Sequence, residues 1–415
     1  DSYSDALTQI AKHAKGLARR PSLSIKLSAL HPRFEETQRI RVIKELGQSV
    51  YSLVKLGMDL DVGITIDAEE ADRMELTLAL FESIYSKPEV RGWGKFGLVV
   101  QAYSKRALPA LCWLTKLAKT HGDEIPVRLV KGAYWDSEIQ HSQTHGLSGY
   151  PVFTRKEYTD TSYLACARFL LSETTRGCIY PQFATHNAHT VSSIKVMAPI
   201  ARKFEFQRLH GMGDGLYESL FSLSDDIHVR IYAPVGSHED LLPYLVRRLL
   251  ENGANSSFVH QLSDDDISVD ELSRRPLAYA DIEKNAIVPA IPDPINIFAN
   301  RDNSQGINLG SVTTKESLLK AISEFNTHEW NSTPMINGNP LKVGGCTSIL
   351  SPFDHRQKVG EQCDANADIA LQALNEAEKV FPEWLHTPVE DRAMIIDKLG
   401  DLLEKNRFEL YALCQ

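Results

Sequence analysis

The sequence has 415 residues, 43% of them hydrophobic and 24% charged, and its 45 Lys plus Arg against 54 Asp plus Glu give a formal net charge of −9. That length exceeds one ordinary core and implies two domains, with room for part of a third. The acidic balance offers no electrostatic basis for binding nucleic acid, and no apolar run reaches the roughly 18 residues that a membrane-spanning helix needs.

The first residues, Asp1 to Leu17, alternate at helical spacing and do not resemble a secretion signal. Strand-length apolar runs follow at Ser24–Leu30, Gly63–Asp67, Gly97–Tyr103, Val127–Val130, Ile179–Thr185, Phe204–Leu209 and Arg230–Ala233. Amphipathic stretches such as Arg39–Leu56 and Leu108–Lys119 lie between them, which predicts parallel β/α units. Side-chain parity separates a barrel from an open sheet. Ile25 and Leu27 share one face against Ser24, Lys26 and Ser28. Ile64 and Ile66 oppose Thr65 and Asp67, and Leu98 and Val100 oppose Val99 and Gln101. The same holds for Val127 and Leu129 against Arg128 and Val130, and for Phe204 and Phe206 against Glu205 and Gln207. An open doubly wound sheet buries both faces of its strands. One apolar face, with polar residues at the strand ends on the other, instead fits a (β/α)8-type barrel with its site at the C-terminal mouth. Seven strands can be counted, so the first strand of the barrel is expected upstream of Asp1 or to be absent.

Beyond Phe258 the pattern breaks. Asn285–Asn300 carries Pro289, Pro292 and Pro294 and reads as an extended linker. Helices are expected at Thr314–Asn326, Asn366–Leu374 and Val389–Cys414, with a turn at Ile336-Asn337-Gly338. The expected division is a barrel over 1–275, a linker over 276–300 and part of an α/β domain over 301–415, with no Gly-rich nucleotide loop. The six cysteines (Cys112, Cys166, Cys178, Cys346, Cys363 and Cys414) show neither a CxxC nor a metal spacing, and are expected to be reduced thiols without a disulfide framework. The chain reads as a cytoplasmic protein that acts on small molecules.

Successive strand ends supply Lys26, Asp67, Gln101 and Arg128, followed by Tyr134, His186, Asn187, Gln207 and Tyr232. On the helical run Leu241–Leu250 lie Arg247 and Arg248, with Glu251 within ion-pair reach of both. A ring of charge in a barrel mouth needs partners, because burying an unpaired charge is costly. One reading is a purely structural network, with Lys26 on Asp67 and Arg128 on a carboxylate. The other is a cationic site for a carboxylate substrate, bound by bidentate guanidinium contacts. A metal hydrolase built on His186, His189 and His210 is disfavoured by the missing HxH pattern, and no metal is expected. A Schiff-base Lys26 is a further alternative.

The segments Ser24-Ile-Lys-Leu-Ser-Ala-Leu-His-Pro32, Ile66-Asp-Ala-Glu-Glu-Ala-Asp-Arg73, Val127-Arg-Leu-Val-Lys-Gly-Ala-Tyr-Trp135, Phe183-Ala-Thr-His-Asn187, Leu209-His-Gly-Met212 and Tyr244-Leu-Val-Arg-Arg-Leu-Leu-Glu-Asn252 resemble the proline dehydrogenase domain of the bacterial proline utilization A (PutA) family. The resemblance runs from about Arg19 to Phe258. It implies FAD bound non-covalently at the strand ends and oxidation of L-proline to Δ1-pyrroline-5-carboxylate. Arg247 and Arg248 would clamp the substrate carboxylate beside Lys26, and Tyr134, Leu209 and Tyr232 would pack on its ring. Asp67 would order Lys26, Arg128 would lie near the flavin N5 and Gln101 at the isoalloxazine edge. Val130, Gly132, Trp135, Thr154, Lys156, Thr185, His186, Asn187, Gln207 and Glu251 match positions that line the FAD.

Met335-Ile-Asn-Gly338, Ser351-Pro352 and Ala373-Leu-Asn-Glu-Ala-Glu-Lys-Val-Phe-Pro-Glu-Trp384 resemble the start of an aldehyde dehydrogenase domain. In the bifunctional family that domain oxidises glutamate semialdehyde with NAD, and its catalytic residues are expected beyond Gln415. The family passes electrons to a membrane quinone, which implies a peripheral encounter with the inner membrane face, and a homo-oligomer is compatible with it. The competing expectation is a catalytically incompetent fragment that acts only in association.

Overall fold

The computed structural model describes residues 2–223, 227–236, 239, 241–242, 244–246, 268, 270, 273, 276 and 291–415. The described residues fall into two compact units, 1–312 and 313–415.

In the first unit, strands β1 (Ser22–Ile25), β2 (Gly63–Ile66), β3 (Phe96–Gln101), β4 (Ile125–Val130), β5 (Ile179–Ala184), β6 (Glu205–Leu209) and β7 (Val229–Tyr232) form one parallel sheet in sequential order. Its register runs through Ile66↔Leu98, Leu98↔Val127, Leu129↔Phe183, Phe183↔Phe206 and Leu209↔Tyr232. The sheet curls toward closure. Arg230 of β7 donates from Nη1 to the Arg20 carbonyl, just ahead of β1, at 3.0 Å.

The strand parity is as expected. Ile25, Ile64, Ile66, Leu98, Val127, Leu129 and Phe206 are buried in one apolar cluster with the surrounding helices. Those helices are α1 (Ser2–His13), α2 (Arg39–Leu60), α3 (Met74–Tyr85), α4 (Ala107–His121), α5 (Trp135–Thr144), α6 (Lys156–Leu171), α7 (Ala188–Met197) and α8 (Asp214–Leu223). Helix α2 shows the logic. Val42, Leu46, Val50, Leu53, Val54 and Gly57 recur at three- and four-residue spacing, and all are buried. Such a stripe lines one face of a 3.6-residue helix, and each fully buried Leu or Val contributes about 1.5–3 kcal/mol. Helix α4 stops at Gly122, whose φ of 64° lies in the left-handed region that glycine adopts without steric cost.

One expectation changes here. The run Ser24–Leu30 is a strand only as far as Ile25, and Leu27–Ala29 is a 3-10 turn. The alternation continues through it, but the Ser28 amide leaves the ladder to donate to Glu69 Oε1 at 2.9 Å. The 52-residue step from Val127 to Ile179 holds two helices, α5 and α6, pinned by a bridge between Ser104 and Val152. Residues 291–312 pack on the first unit. Pro292 accepts from Tyr150 Oη at 2.7 Å and the Val312 amide donates to Glu75 Oε2 at 3.1 Å.

In the second unit, Lys358–Gln362 pairs antiparallel with Thr347–Leu350 and parallel with Trp330–Ser332. Asn337-Gly338 turns a short hairpin between Met335–Ile336 and Asn339–Pro340. Helices occupy Val312–Ser323, Ala367–His386, Val389–Lys405 and Arg407–Cys414. The expectation of reduced cysteines is corrected here: Cys346 and Cys363 form a disulfide. The register Thr347↔Gln362 places the next pair outward, Cys346 and Cys363, directly opposite each other, and the remaining four thiols are free. Among the described residues, no helix is long and apolar enough to cross a membrane.

Candidate active site

The polar faces of the strands converge inside the curl. Arg128 on β4 is 6% exposed and is held by three other strands. Its Nε–H donates to Gln207 Oε1 on β6 at 2.6 Å, Nη1 to Asp67 Oδ1 just beyond β2 at 2.8 Å, and Nη2 to Ser24 Oγ on β1 at 2.9 Å. Tyr232 at the end of β7 donates from its hydroxyl to Asp67 Oδ2 at 3.1 Å, and its ring centroid lies 5.2 Å from the Arg128 guanidinium carbon. One carboxylate therefore joins a cation from the fourth strand and a phenol from the seventh. Burial raises the Asp67 carboxyl above its ordinary range, against the pull of Arg128, Tyr232 and Lys26. Burial, with Asp67 adding to it, raises the Tyr232 phenol too.

Lys26 follows β1, and its Nζ donates to Tyr134 Oη at 3.4 Å while its backbone N–H donates to the Tyr3 hydroxyl at 3.1 Å. The structure matches half of the structural-network expectation and departs from the other half: Arg128 does sit on a carboxylate, Asp67, whereas Lys26 reaches Tyr134. Gln101 at the end of β3 bridges two loops, donating from Nε2 to the Glu69 carbonyl at 2.9 Å and accepting from the Ala133 amide at 3.2 Å. Between Val130 and Tyr134 the chain passes Gly132 at φ +144°, where a Cβ would fall 2.4 Å from the Tyr103 ring. Only glycine lets the backbone lie against that ring.

The β5 and β6 ends supply the opposite wall. Thr185 accepts the Asn187 amide on its hydroxyl at 3.1 Å, and Asn187 Oδ1 caps α7 by accepting from the Thr190 amide at 2.9 Å. His186 Nε2 accepts from the Leu209 amide at 3.0 Å, which locks that ring to β6. The remaining positions lie on the α5–α6 excursion. Trp135 donates from its indole to the Phe153 carbonyl at 2.9 Å, Thr154 follows, and Lys156 pairs with Asp160 at 2.9 Å. Asp160 also pairs with Lys131, whose ammonium burial pulls below its ordinary pKa. Arg247, Arg248 and Glu251 lie outside the described residues.

Sequence reasoning passed over four participants. Ser24 and Glu205 share the parity of Arg128 and Gln207, and parity was the signal that could have found them. Arg230 contacts Glu205 at 2.9 Å. Glu138 on α5 reaches the Ala71 amide at 2.6 Å, tying α5 to the loop after Asp67; no local motif marks that contact. Among the described residues, no group of three or more His, Cys, Asp and Glu could hold a metal ion.

A curled parallel sheet whose strand ends close around a buried arginine, held to a half-buried aspartate and tyrosine, defines a barrel enzyme scaffold with its site at the C-terminal mouth. Residues 1–261 match the proline dehydrogenase family, and the chain belongs to it; residues 343–415 match the aldehyde dehydrogenase family. The chain is 43% identical to the bifunctional protein PutA of Klebsiella aerogenes over 97% of its own length and 32% of that protein's. It is 42% identical to PutA of Escherichia coli (strain K12), over 99% of its own length and again 32% of the relative's. A crystal structure of Bradyrhizobium japonicum proline utilization A aligns with TM-score 0.84 and 43% identity over 98% of this chain and 38% of that one. The chain thus spans about a third of the length of these relatives.

Proposed function

We propose that the first unit oxidises L-proline to Δ1-pyrroline-5-carboxylate with FAD, and that a longer protein containing this chain couples this to NAD-dependent oxidation of glutamate semialdehyde. The observation that carries the reading is Arg128, a buried guanidinium fixed by three hydrogen bonds at the C-terminal ends of the strands. A fixed cation there suits a group that gains negative charge on reduction. The donor set supports a flavin as well: Gln101, Thr185, His186, Asn187 and Gln207 line one arc of strand ends, Gly132 lets the backbone approach closely, and Lys156 adds a cation at its periphery. With Val130, Trp135, Thr154 and Glu251, these residues would hold the cofactor. When bound, FAD supplies the hydride acceptor for the proline C5.

The chain's own residues bind and orient. Arg247, Arg248 and Lys26 clamp the substrate carboxylate, a pairing that charge-assisted bidentate hydrogen bonds favour. Tyr134, Leu209 and Tyr232 wall the pyrrolidine ring and exclude water. Asp67 holds Arg128 and Tyr232 in mutual register, so the cation keeps its place as charge develops. Electrons pass onward to a membrane quinone through a peripheral encounter, and the protein acts in the cytoplasm.

Absorbance provides the test. The purified protein should show flavin bands that L-proline bleaches anaerobically. Bound flavin that proline does not bleach, or protein without flavin, overturns the reading.

A further inference from the structure

Glu205 lies on β6 two residues before Gln207, on the same strand face, and is 3% exposed. Its Oε1 accepts from Gln207 Nε2 at 2.7 Å and from Arg230 Nε at 2.9 Å, and its Oε2 accepts from Arg230 Nη2 at 3.1 Å. Gln207 in turn accepts from Arg128 Nε on Oε1 at 2.6 Å. A primary amide has one end that donates and one that accepts, and the two are nearly the same shape. Here both neighbours dictate its sense. Turned over, Gln207 would set its NH2 against the Arg128 N–H and its oxygen against the Glu205 carboxylate, two repulsions inside a barrel where polar groups cannot turn to water. Burial works against the charge on Arg230, and Glu205 outweighs it, so that guanidinium titrates above its ordinary value.

We propose that Glu205 is a positioning residue: its carboxylate fixes the sense of the Gln207 amide and through it the orientation of the Arg128 guanidinium at the oxidising site. The chain of contacts is Arg230, Glu205, Gln207, Arg128, Asp67 and Tyr232, so a group deep in the barrel sets the geometry at its mouth. The inference rests on the flavin-dependent reading above, and it concerns a residue that neither cofactor nor substrate needs to touch.

The test is a double-variant cycle on the flavin-loaded protein. In Glu205→Ala, flavin reduction at saturating proline should fall at least about tenfold while the KM for proline stays within about twofold, because the carboxylate clamp is untouched. Glu205→Gln keeps the side-chain volume, should fold if the alanine variant does not, and should show a loss in the same direction of at least about threefold. Glu205→Ala combined with Gln207→Ala should be no slower than Gln207→Ala alone, since the two act as one unit. The flavin midpoint potential of Glu205→Ala should drop by about 30 mV, the two-electron equivalent of a tenfold weaker preference for the reduced form. Multiplicative losses in the double variant, or an unchanged rate and potential in both single variants, overturn the proposal. Failure of the parent reading looks different, because the wild-type protein itself would then carry no flavin that proline bleaches. In that event the same cycle, read by urea unfolding of the apoprotein, still decides the point: residues 205 and 207 should couple by about tenfold in the unfolding equilibrium, and independence overturns the link.

Discussion

Tyr232 donates to Oδ2 of Asp67, the carboxylate whose other oxygen accepts from Arg128, although 165 residues separate the tyrosine from the aspartate. The last described strand of the barrel and the loop after the second are thereby joined through a single side chain.

Removing the cation should expose what that carboxylate costs. Arg128→Ala leaves Asp67, its side chain 15% exposed, without its ion-pair partner. Breaking one side of a buried pair costs about 3–5 kcal/mol, so urea unfolding should show a loss of that order. Flavin reduction by proline should slow as well; unchanged reduction kinetics would remove Arg128 from the chemistry.

Glu138 supplies a pH dependence. Burial, which outweighs the Ala71 amide and is reinforced by Asp72 and Glu70, pushes its carboxyl from 4.5 to about 7. The folded protein therefore holds a proton that the unfolded chain has released between those two values, and stability falls as pH rises through that window. Glu138→Gln keeps an acceptor for the Ala71 amide and has no charge to bury. It should be more stable than the parent at pH 8, by an amount on the order of 1–3 kcal/mol, and indistinguishable from it near pH 4. Melting temperatures at the two pH values check this; an equal difference at both would refute the account.

Gly132→Ala should fold poorly or not hold flavin. Its φ of +144° and the Tyr103 ring 2.4 Å from the added Cβ combine backbone strain with overpacking, each worth about 1–3 kcal/mol. Thermal melts and flavin content per chain measure the two consequences. A variant that matches the parent in both would mean the loop relaxes freely.

The Cys346–Cys363 bond closes a sequence separation of 17. A loop of that size implies a stabilisation of about 3 kcal/mol. Reduction, or Cys346→Ser with Cys363→Ser, should lower the unfolding midpoint of the second unit and leave that of the barrel unchanged. Limited proteolysis with and without reductant reads the difference.

Much of the barrel was legible because its strands alternate cleanly. Parity put Arg128, Gln101 and Gln207 on one face, and the structure keeps them there. It also put Ser24 and Glu205 on that face, but a serine and a glutamate with no motif around them look like solvated residues until the curl closes over them. The first run was expected to continue to Leu30 and stops at Ile25, because a distant acceptor, Glu69, takes the Ser28 amide out of a ladder that local alternation would continue. The disulfide was missed for a similar reason. Two cysteines become partners only once an antiparallel register is known, and spacing alone does not supply it.

The hydrogen bond from Arg230 to the Arg20 carbonyl spans 210 residues. Contacts of such separation are late ones, since a long loop must close before they form. While the chain is being synthesised, the early strands can pair with one another, but the sheet cannot draw its ends together until the arginine of the seventh strand has emerged. Until then its open edge is the surface most exposed to wrong partners.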